Sequence, residues 1–111
     1  MRNRLLYVLI ALAVCPLAAR QGDNPGLKLI QTIPLPGVPG RFDHFILDSK
    51  HQRLFVTAQG IKSVVVVDLK AGKVIHTIPG FVSPHAGYYR EDTDELLVGD
   101  DDGSSKVFRG D

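Results

Sequence analysis

Two segments of the chain are nearly identical, KLIQTIP at 28–34 and KVIHTIP at 73–79. Four further segments pair in the same order, RLFVTA at 53–58 with ELLVGD at 95–100 and SVVVVDL at 63–69 with SKVFRGD at 105–111. A repeat of roughly 41 to 45 residues, built from short apolar runs separated by turns, is typical of a propeller blade with four strands. The repeat therefore predicts a series of small similar sheets.

The composition of these runs indicates strands. Val64–Val67 is a row of four β-branched residues, which suit a pleated sheet because their first side-chain torsion is restricted. Glycines interrupt the runs too often for a helical period to persist. Both faces of VVVVDL and RLFV are apolar, so each sheet needs a cover on both sides, as stacked blades provide. A small β-sandwich that happens to repeat is the alternative fold.

The order of segments resembles the YVTN-type β-propeller repeat, the family that includes YncE-like proteins. The matching strands of the first unit are Asp43–Asp48, Arg53–Ala58, Ser63–Leu69 and Lys73–Pro79, and those of the second unit are His85–Tyr89, Glu95–Gly99 and Ser105–Arg109. Neither unit spells YVTN, since Ala58 and Asp100 stand at the asparagine position. The resemblance implies an all-β partial propeller.

This resemblance divides the region 27–111 into three parts. Residues 27–38 form an N-terminal outer strand of the kind that latches a closed ring, 39–80 form the first blade, and 81–111 form an incomplete second blade. The total is about one and three-quarter blades plus the latch strand. We interpret the chain as the N-terminal portion of a longer propeller; a short protein that assembles its ring from several copies is the alternative.

The N-terminus has the layout of a secretory signal peptide. Arg2 and Arg4 precede the apolar run Leu5–Val14, and small residues follow up to Ala19. The run is shorter than the roughly 20 residues that cross a bilayer, although a retained membrane anchor is an alternative. We expect cleavage after residue 19, a flexible lead-in at 20–26, and a periplasmic or extracellular product. Lipidation at Cys15 is a second alternative.

The charge balance excludes some partners. The chain has 13 Lys and Arg against 12 Asp and Glu, and loss of the signal would remove two of the basic residues. No basic patch is evident, so nucleic acid is not an expected partner. We expect instead an unidentified protein or small ligand, with the remaining blades supplied by a longer chain or by other copies.

Two histidines are the main site candidates. Asp43-His44 and Pro84-His85 open the inner strands of successive units, whose starts lie at one mouth of a propeller's channel. We therefore predict ligand contacts from Asp43, His44 and His85, with the two histidines at equivalent positions. Related propellers hold copper or haem with inward histidines, but two are too few to specify a metal, so no cofactor is predicted.

Other motifs are better explained as turns. In GDDDGSS at 99–105, Asp100 and Asp102 are weak calcium candidates, because Ser105 stands where a calcium loop needs glycine. A tight turn at Asp102-Gly103 is the favoured interpretation. No catalytic motif is present. The sequence favours a binding scaffold of the cell envelope over its alternative, a lactonase- or oxidoreductase-like propeller enzyme, and leaves enzymatic activity undecided.

Overall fold

The computed structural model describes residues 26–110, a range in which the regular structure consists of β-strands and one short 3₁₀ turn at Gln59–Ile61. The strands are β1 (Phe42–Asp48), β2 (Arg53–Ala58), β3 (Ser63–Asp68), β4 (Lys73–Ile78), β5 (Pro84–Arg90), β6 (Glu95–Asp100) and β7 (Ser105–Arg109). The all-β prediction is confirmed. The seven strands predicted for the two blade units are present, and no end differs by more than one residue.

The strands form two antiparallel sheets that follow chain order. The first sheet has the order β1-β2-β3-β4, and the second has the order β5-β6-β7. The turns before β4 and β7 each contain a glycine with a positive φ, 68° at Gly72 and 83° at Gly103. Glycine adopts this conformation without the Cβ clash that other residues suffer, and it allows the chain to reverse tightly.

The two sheets are built alike down to their irregularities. Phe42 at the start of β1 pairs with Ala58, and Pro84 at the start of β5 pairs with Asp100. In both sheets a bulge follows immediately, before Phe45 in β1 and before Gly87 in β5. The strand pairings therefore define which residues of the two units are equivalent.

Each sheet has a front and a back face that correspond between the units. The front stripe of the first sheet is Ile46, Phe55 and Val66, and the equivalent front stripe of the second sheet is Tyr88, Leu97 and Val107. The back stripe of the first sheet is Leu47, Leu54 and Val67, and the equivalent back stripe of the second sheet is Tyr89, Leu96 and Phe108.

The front of the first sheet packs against the back of the second. The front stripe of the first sheet is buried in one apolar cluster with Tyr89, Leu96 and Val98 from the second sheet, and Phe108 packs at its border. Burial of these side chains is the main apolar contribution that holds the two sheets together. The contact therefore joins a front face to a back face, as in a stack of sheets. In a symmetric sandwich, two equivalent faces would be in contact.

The front stripe of the second sheet has no such cover within residues 26–110. Tyr88 is 68% exposed and Val107 is 57% exposed. Their equivalents in the first sheet, Ile46 and Val66, are 8% and 5% exposed. The stripe is therefore the largest difference in environment between the two otherwise similar units.

The segment before β1 takes a different course from the predicted latch strand. Residues 26–41 contain no strand. Ile33, Leu35 and Val38 instead pack on the back of the first sheet, against a cluster that includes Val56 and Val65. No edge of another blade lies beside this segment within the described residues, so its latch role stays a prediction.

The predicted signal peptide at 1–19 and most of the lead-in at 20–26 lie outside the described residues, as does Cys15. Export, cleavage and lipidation therefore remain predictions from the sequence.

Within residues 26–110, no helix has the length and apolar character needed to cross a membrane.

Two neighbouring leucines of β6 test the assignment of faces. Leu96 lies in the core between the sheets, and Leu97 is half-buried on the front stripe. Leu96→Ala should lower the free energy of unfolding by about 2–5 kcal/mol, because it leaves a cavity. Leu97→Ala should cost far less. Urea unfolding measures both, and equal losses would show that the front stripe of the second sheet is covered as well.

Candidate functional site

The starts of β1 and β5 bring three predicted site residues together with two that were not predicted. Asp43 Oδ2 lies 3.0 Å from His44 Nδ1 and 2.9 Å from His85 Nδ1. His85 Nε2 lies 2.6 Å from Asp101 Oδ1, and the Gln59 side-chain amide lies 3.2 Å from His85 Nδ1. We refer to these five residues as the rim cluster.

The bulges explain why these side chains face one another. A β-bulge leaves residues of one strand out of the ladder and redirects their side chains. In β1 the bulged residues are Asp43 and His44, and Thr57 of β2 secures them. The Thr57 hydroxyl accepts a hydrogen bond from the His44 backbone N–H at 2.7 Å and donates one to the His44 carbonyl at 3.2 Å. The rim cluster therefore rests on a fixed backbone.

The predicted equivalence of His44 and His85 is wrong by one residue. Because Phe42 and Pro84 occupy equivalent positions in the pairing, the residue equivalent to His85 is Asp43. The prediction aligned the histidines by residue type, whereas strand pairing sets the true correspondence. Equivalent positions of the two units thus hold a carboxylate and an imidazole, and these two side chains contact each other.

The rim cluster favours a protonated His85. Hydrogen bonds to Asp43 and then to Asp101 raise the pKa of His85 above its ordinary value of 6.5. Hydrogen bonds from His85 and then His44 lower the pKa of Asp43 below its ordinary value of 3.8. Only the imidazolium form can donate from both ring nitrogens to two carboxylates at once. The hydrogen-bond geometry and the raised pKa of His85 both favour the imidazolium form at the junction of the two sheets.

The weak calcium candidates are bonded to a lysine instead. The Lys106 ammonium lies 2.5 Å from Asp100 Oδ2 and 3.0 Å from Asp102 Oδ2. Burial acts to raise the pKa of Asp100, but hydrogen bonds from Lys106 and from the backbone of Ser83 and Val82 outweigh it and lower the pKa. The interpretation of 99–105 as a turn is confirmed, with Gly103 in the left-handed conformation and Asp102 outside it.

A second polar cluster ties the sheets together at their opposite end. Arg53 Nε lies 2.7 Å from Asp48 Oδ2, and Arg53 Nη2 lies 2.6 Å from Asp94 Oδ1. The guanidinium also donates to the Tyr89 hydroxyl at 3.1 Å and lies over the rings of Phe55 and Tyr89. Asp48 and Arg53 belong to the first sheet, and Tyr89 and Asp94 to the second unit, so this arginine bridges the units.

The ionisation of the second cluster follows from its contacts. Burial raises the pKa of Tyr89 to about 12, and its hydrogen bond to Asp94 adds to this effect. Burial also acts to raise the pKa of Asp48, but hydrogen bonds from the His51 backbone and from Arg53 outweigh it and lower the pKa. The cluster is therefore an arginine held between two ionised carboxylates.

Within residues 26–110, one group of three histidine and carboxylate side chains is close enough together to share a metal ion. Asp48, His51 and Asp94 place candidate ligand atoms within 4.8 Å of one another, whereas the rim cluster does not form such a group. The Arg53 guanidinium already supplies the positive charge between Asp48 and Asp94. A cation added there would be repelled by that charge, so the arrangement is better explained as an ion-pair network.

A cleft of about 300 Å³ opens between the sheets beside the second cluster. It lies between the outer strand β4 of the first sheet and β7 of the second. Its lining includes Ile75, Ile78, Leu96, Phe108 and Tyr89. The cleft is mostly apolar and exists because the second sheet has no fourth strand opposite β4 within the described residues.

Several of these residues were not predicted from the sequence. Asp101 was considered only as part of the turn at 99–105, and Asp94 was not singled out. Gln59, Arg53 and Tyr89 carried no motif. One signal was available in the sequence, because the repeat places Asp94 and Gln52 at equivalent turn positions; in the structure both adopt a positive φ, 51° and 54°. The repeat could have placed Asp94 beside the following strand, but its contact with Arg53 depends on how the sheets stack.

Comparison with known protein families and with curated proteins gives no match for this chain. The resemblance to the YVTN-type repeat therefore rests on the residues of the sequence alone.

The protonation of His85 can be measured directly. We expect its imidazole to titrate above pH 6.5 by NMR, and Asp43→Asn to lower that pKa because it removes the carboxylate that contributes most to the raised value. A raised folded-state pKa adds stability that is present below pH 6.5 and is lost as the pH rises through the folded-state value. Asp92→Asn, at the opposite end of β5, is the control. An unshifted His85 in the wild type would contradict the structure.

The bridging arginine should be important for stability. Asp48 is 0% exposed, so Arg53→Met would leave a buried carboxylate without its arginine partner, at a cost of about 3–5 kcal/mol. The matched control is Arg90→Met, since Arg90 and Glu95 form the equivalent pair of the second sheet, with the charges exchanged and the arginine exposed. Thermal and urea unfolding should show a large loss for the first variant only. Similar losses would refute the bridging role.

Proposed function

We propose that residues 27–111 form successive blades of a YVTN-type β-propeller that is exported and acts as a binding scaffold. The observation that carries this proposal is the packing of unlike faces. When the front of one unit packs on the back of the next, the second unit presents a front that can receive a further unit. A propeller is a ring of such contacts.

The exposed front stripe supports this interpretation. Monomeric soluble proteins rarely leave adjoining apolar side chains uncovered without an interaction that uses them. Tyr88, Leu97 and Val107 occupy positions whose equivalents in the first sheet are buried by the second sheet. A symmetric sandwich would have no need for this stripe. A following blade would cover it in the way the second sheet covers the first.

The rim cluster is the proposed ligand-contact region. In a propeller the starts of the inner strands lie around one mouth of the central channel, and β1 and β5 both begin at this cluster. Its side chains alternate between carboxylates and imidazoles, with His44 and Asp101 each 54% exposed. Such a surface offers both donors and acceptors to a polar small molecule or a protein loop.

The same geometry favours binding over catalysis or metal coordination by His85. Both of its ring nitrogens are directed at carboxylates, Nδ1 at Asp43 and Nε2 at Asp101. An imidazolium has no lone pair for a metal, for haem iron or for proton abstraction. His85 is better suited to donate hydrogen bonds and to hold the two carboxylates in place.

The proposed location rests on the N-terminal sequence. A basic start, an apolar run of ten residues and small residues before position 20 are the features of a secretory signal. We propose export to the periplasm or the extracellular space on this basis.

A ligand screen on the purified protein tests the scaffold function. The probes are a panel of monosaccharides, amino acids and dicarboxylic acids, and the measurement is the change in melting temperature. A probe that stabilises the wild type should lose its effect in a His44→Ala, His85→Ala double variant, because the His44 imidazole is removed and Asp43 and Asp101 lose the side chain that holds them in place. The His76→Ala variant, altered on the exposed strand β4, should keep it. An effect unchanged in the double variant would show that the rim is not the binding site.

A further inference from the structure

Residues 28–32 resemble a strand but pair with none, and the second sheet has an open edge at β7. Residues 28–34 match 73–79, and in the first sheet the latter segment supplies β4, which pairs along β3. Residues 28–32 are in no strand, with Leu29 82% exposed and Ile30 91% exposed. Within residues 26–110, β7 pairs only with β6 and has no strand on its other side.

We propose that residues 28–32 of a second copy of this chain pair with β7 and supply the fourth strand of the second sheet. The pairing of β3 with β4 gives the register. Transferred to the second unit, it sets Thr32 opposite Lys106, Gln31 opposite Val107 and Leu29 opposite Phe108. Pro34 then ends the added strand just as Pro79 follows β4, because proline cannot donate to the ladder.

The cleft between β4 and β7 is a second observation that supports this placement. In the transferred register Leu29 lies on the same side of the sheet as Phe108, which faces the cleft between β4 and β7. The cleft is lined there by the apolar side chains of Ile75, Ile78 and Leu96. One added strand would therefore pair with the backbone N–H and C=O groups on the open side of β7 and fill the apolar cleft. It would also bury Leu29, which is 82% exposed.

Residues 28–32, the donor segment, can reach β7 of a neighbouring molecule more easily than β7 of their own chain. Ile33, Leu35 and Val38 hold the chain on the back of the first sheet, whereas β7 and the cleft lie on its front side. A chain that paired with its own β7 would have to cross the end of the first sheet. With residues 28–32 donated to another copy, this packing is retained. Each copy then offers one donor and one acceptor, which gives a head-to-tail contact.

One difference between the units disfavours the proposed pairing: Arg109 of β7 stands where β3 has Asp68. This difference allows the register to be tested. In the first sheet Lys73 lies opposite Asp68, but in the transferred register Lys28 lies opposite Arg109. Like charges that face each other across a sheet weaken it. Lys28→Glu should therefore tighten self-association about two- to fivefold. High salt should reduce the gain.

Self-association of the full chain, measured by analytical ultracentrifugation over a range of concentrations, is the primary test. Leu29→Asp should weaken it about ten- to a hundredfold, because a charge would enter the apolar cleft. Leu27→Asp is the matched control, since Leu27 is 97% exposed and precedes the repeated segment. Circular dichroism checks that both variants stay folded. A wild type that remains monomeric at all concentrations, or equal effects of the two variants, would overturn the proposal.

Disulfide trapping identifies the donor. In a Cys15→Ser background, a mixture of Gln31→Cys and Val107→Cys single variants should form a mixed disulfide dimer under mild oxidation, because these positions face each other in the transferred register. A mixture of Leu27→Cys and Val107→Cys should not. If the Gln31→Cys, Val107→Cys double variant instead closes a disulfide within one chain, or if no disulfide forms, the second-copy assignment is wrong.

Discussion

The packing of the first sheet's front on the second sheet's back is the interaction on which the other features depend. It buries Phe55 against Tyr89, whose ring centroids lie 5.6 Å apart, and it seals Val64 and Val98 from solvent. Both polar clusters exist only because this packing brings the sheets together. Asp43 meets His85 at one end and Arg53 reaches the second unit at the other, in each case across the interface.

The two clusters differ in a way that suggests different roles. Asp48 and Arg53 are largely buried, and the guanidinium is fixed by two carboxylates and two aromatic rings. Such an arrangement stabilises one relative position of the sheets, since breaking it leaves a buried charge without a partner. His44 and His85 are about half exposed, and surface ion pairs contribute little stability. The buried end therefore holds the units together, and the exposed end is available to a ligand.

The sequence was sufficient for the strands but not for the contacts between sheets. Runs such as Val64–Val67 and glycines such as Gly72 determine local structure, so strand positions followed from residue type and spacing. The contact of Asp43 with His85, by contrast, depends on bulges and on the stacking of whole sheets, which no short motif encodes. The error of one residue for His44 has the same origin, because a bulge shifts the register without any mark in the composition. The latch segment illustrates the limit further, since its match to β4 predicts a strand but does not name the partner edge.

The positions at which the two units differ are those at which they have different neighbours. The strand lengths and the bulges in β1 and β5 are nearly the same, but the front stripe is buried in the first unit, whereas Tyr88 and Val107 of the second unit's front stripe are exposed. The pair Asp48 and Arg53 becomes Arg90 and Glu95, and the equivalent of Asp68 is Arg109. Where the sign of a charge is reversed between equivalent positions, one unit cannot replace the other at an interface, because the facing charges of the partner would have to be reversed as well. The two units therefore carry different charges at equivalent positions, so the surfaces of the second unit are not a simple duplicate of those of the first.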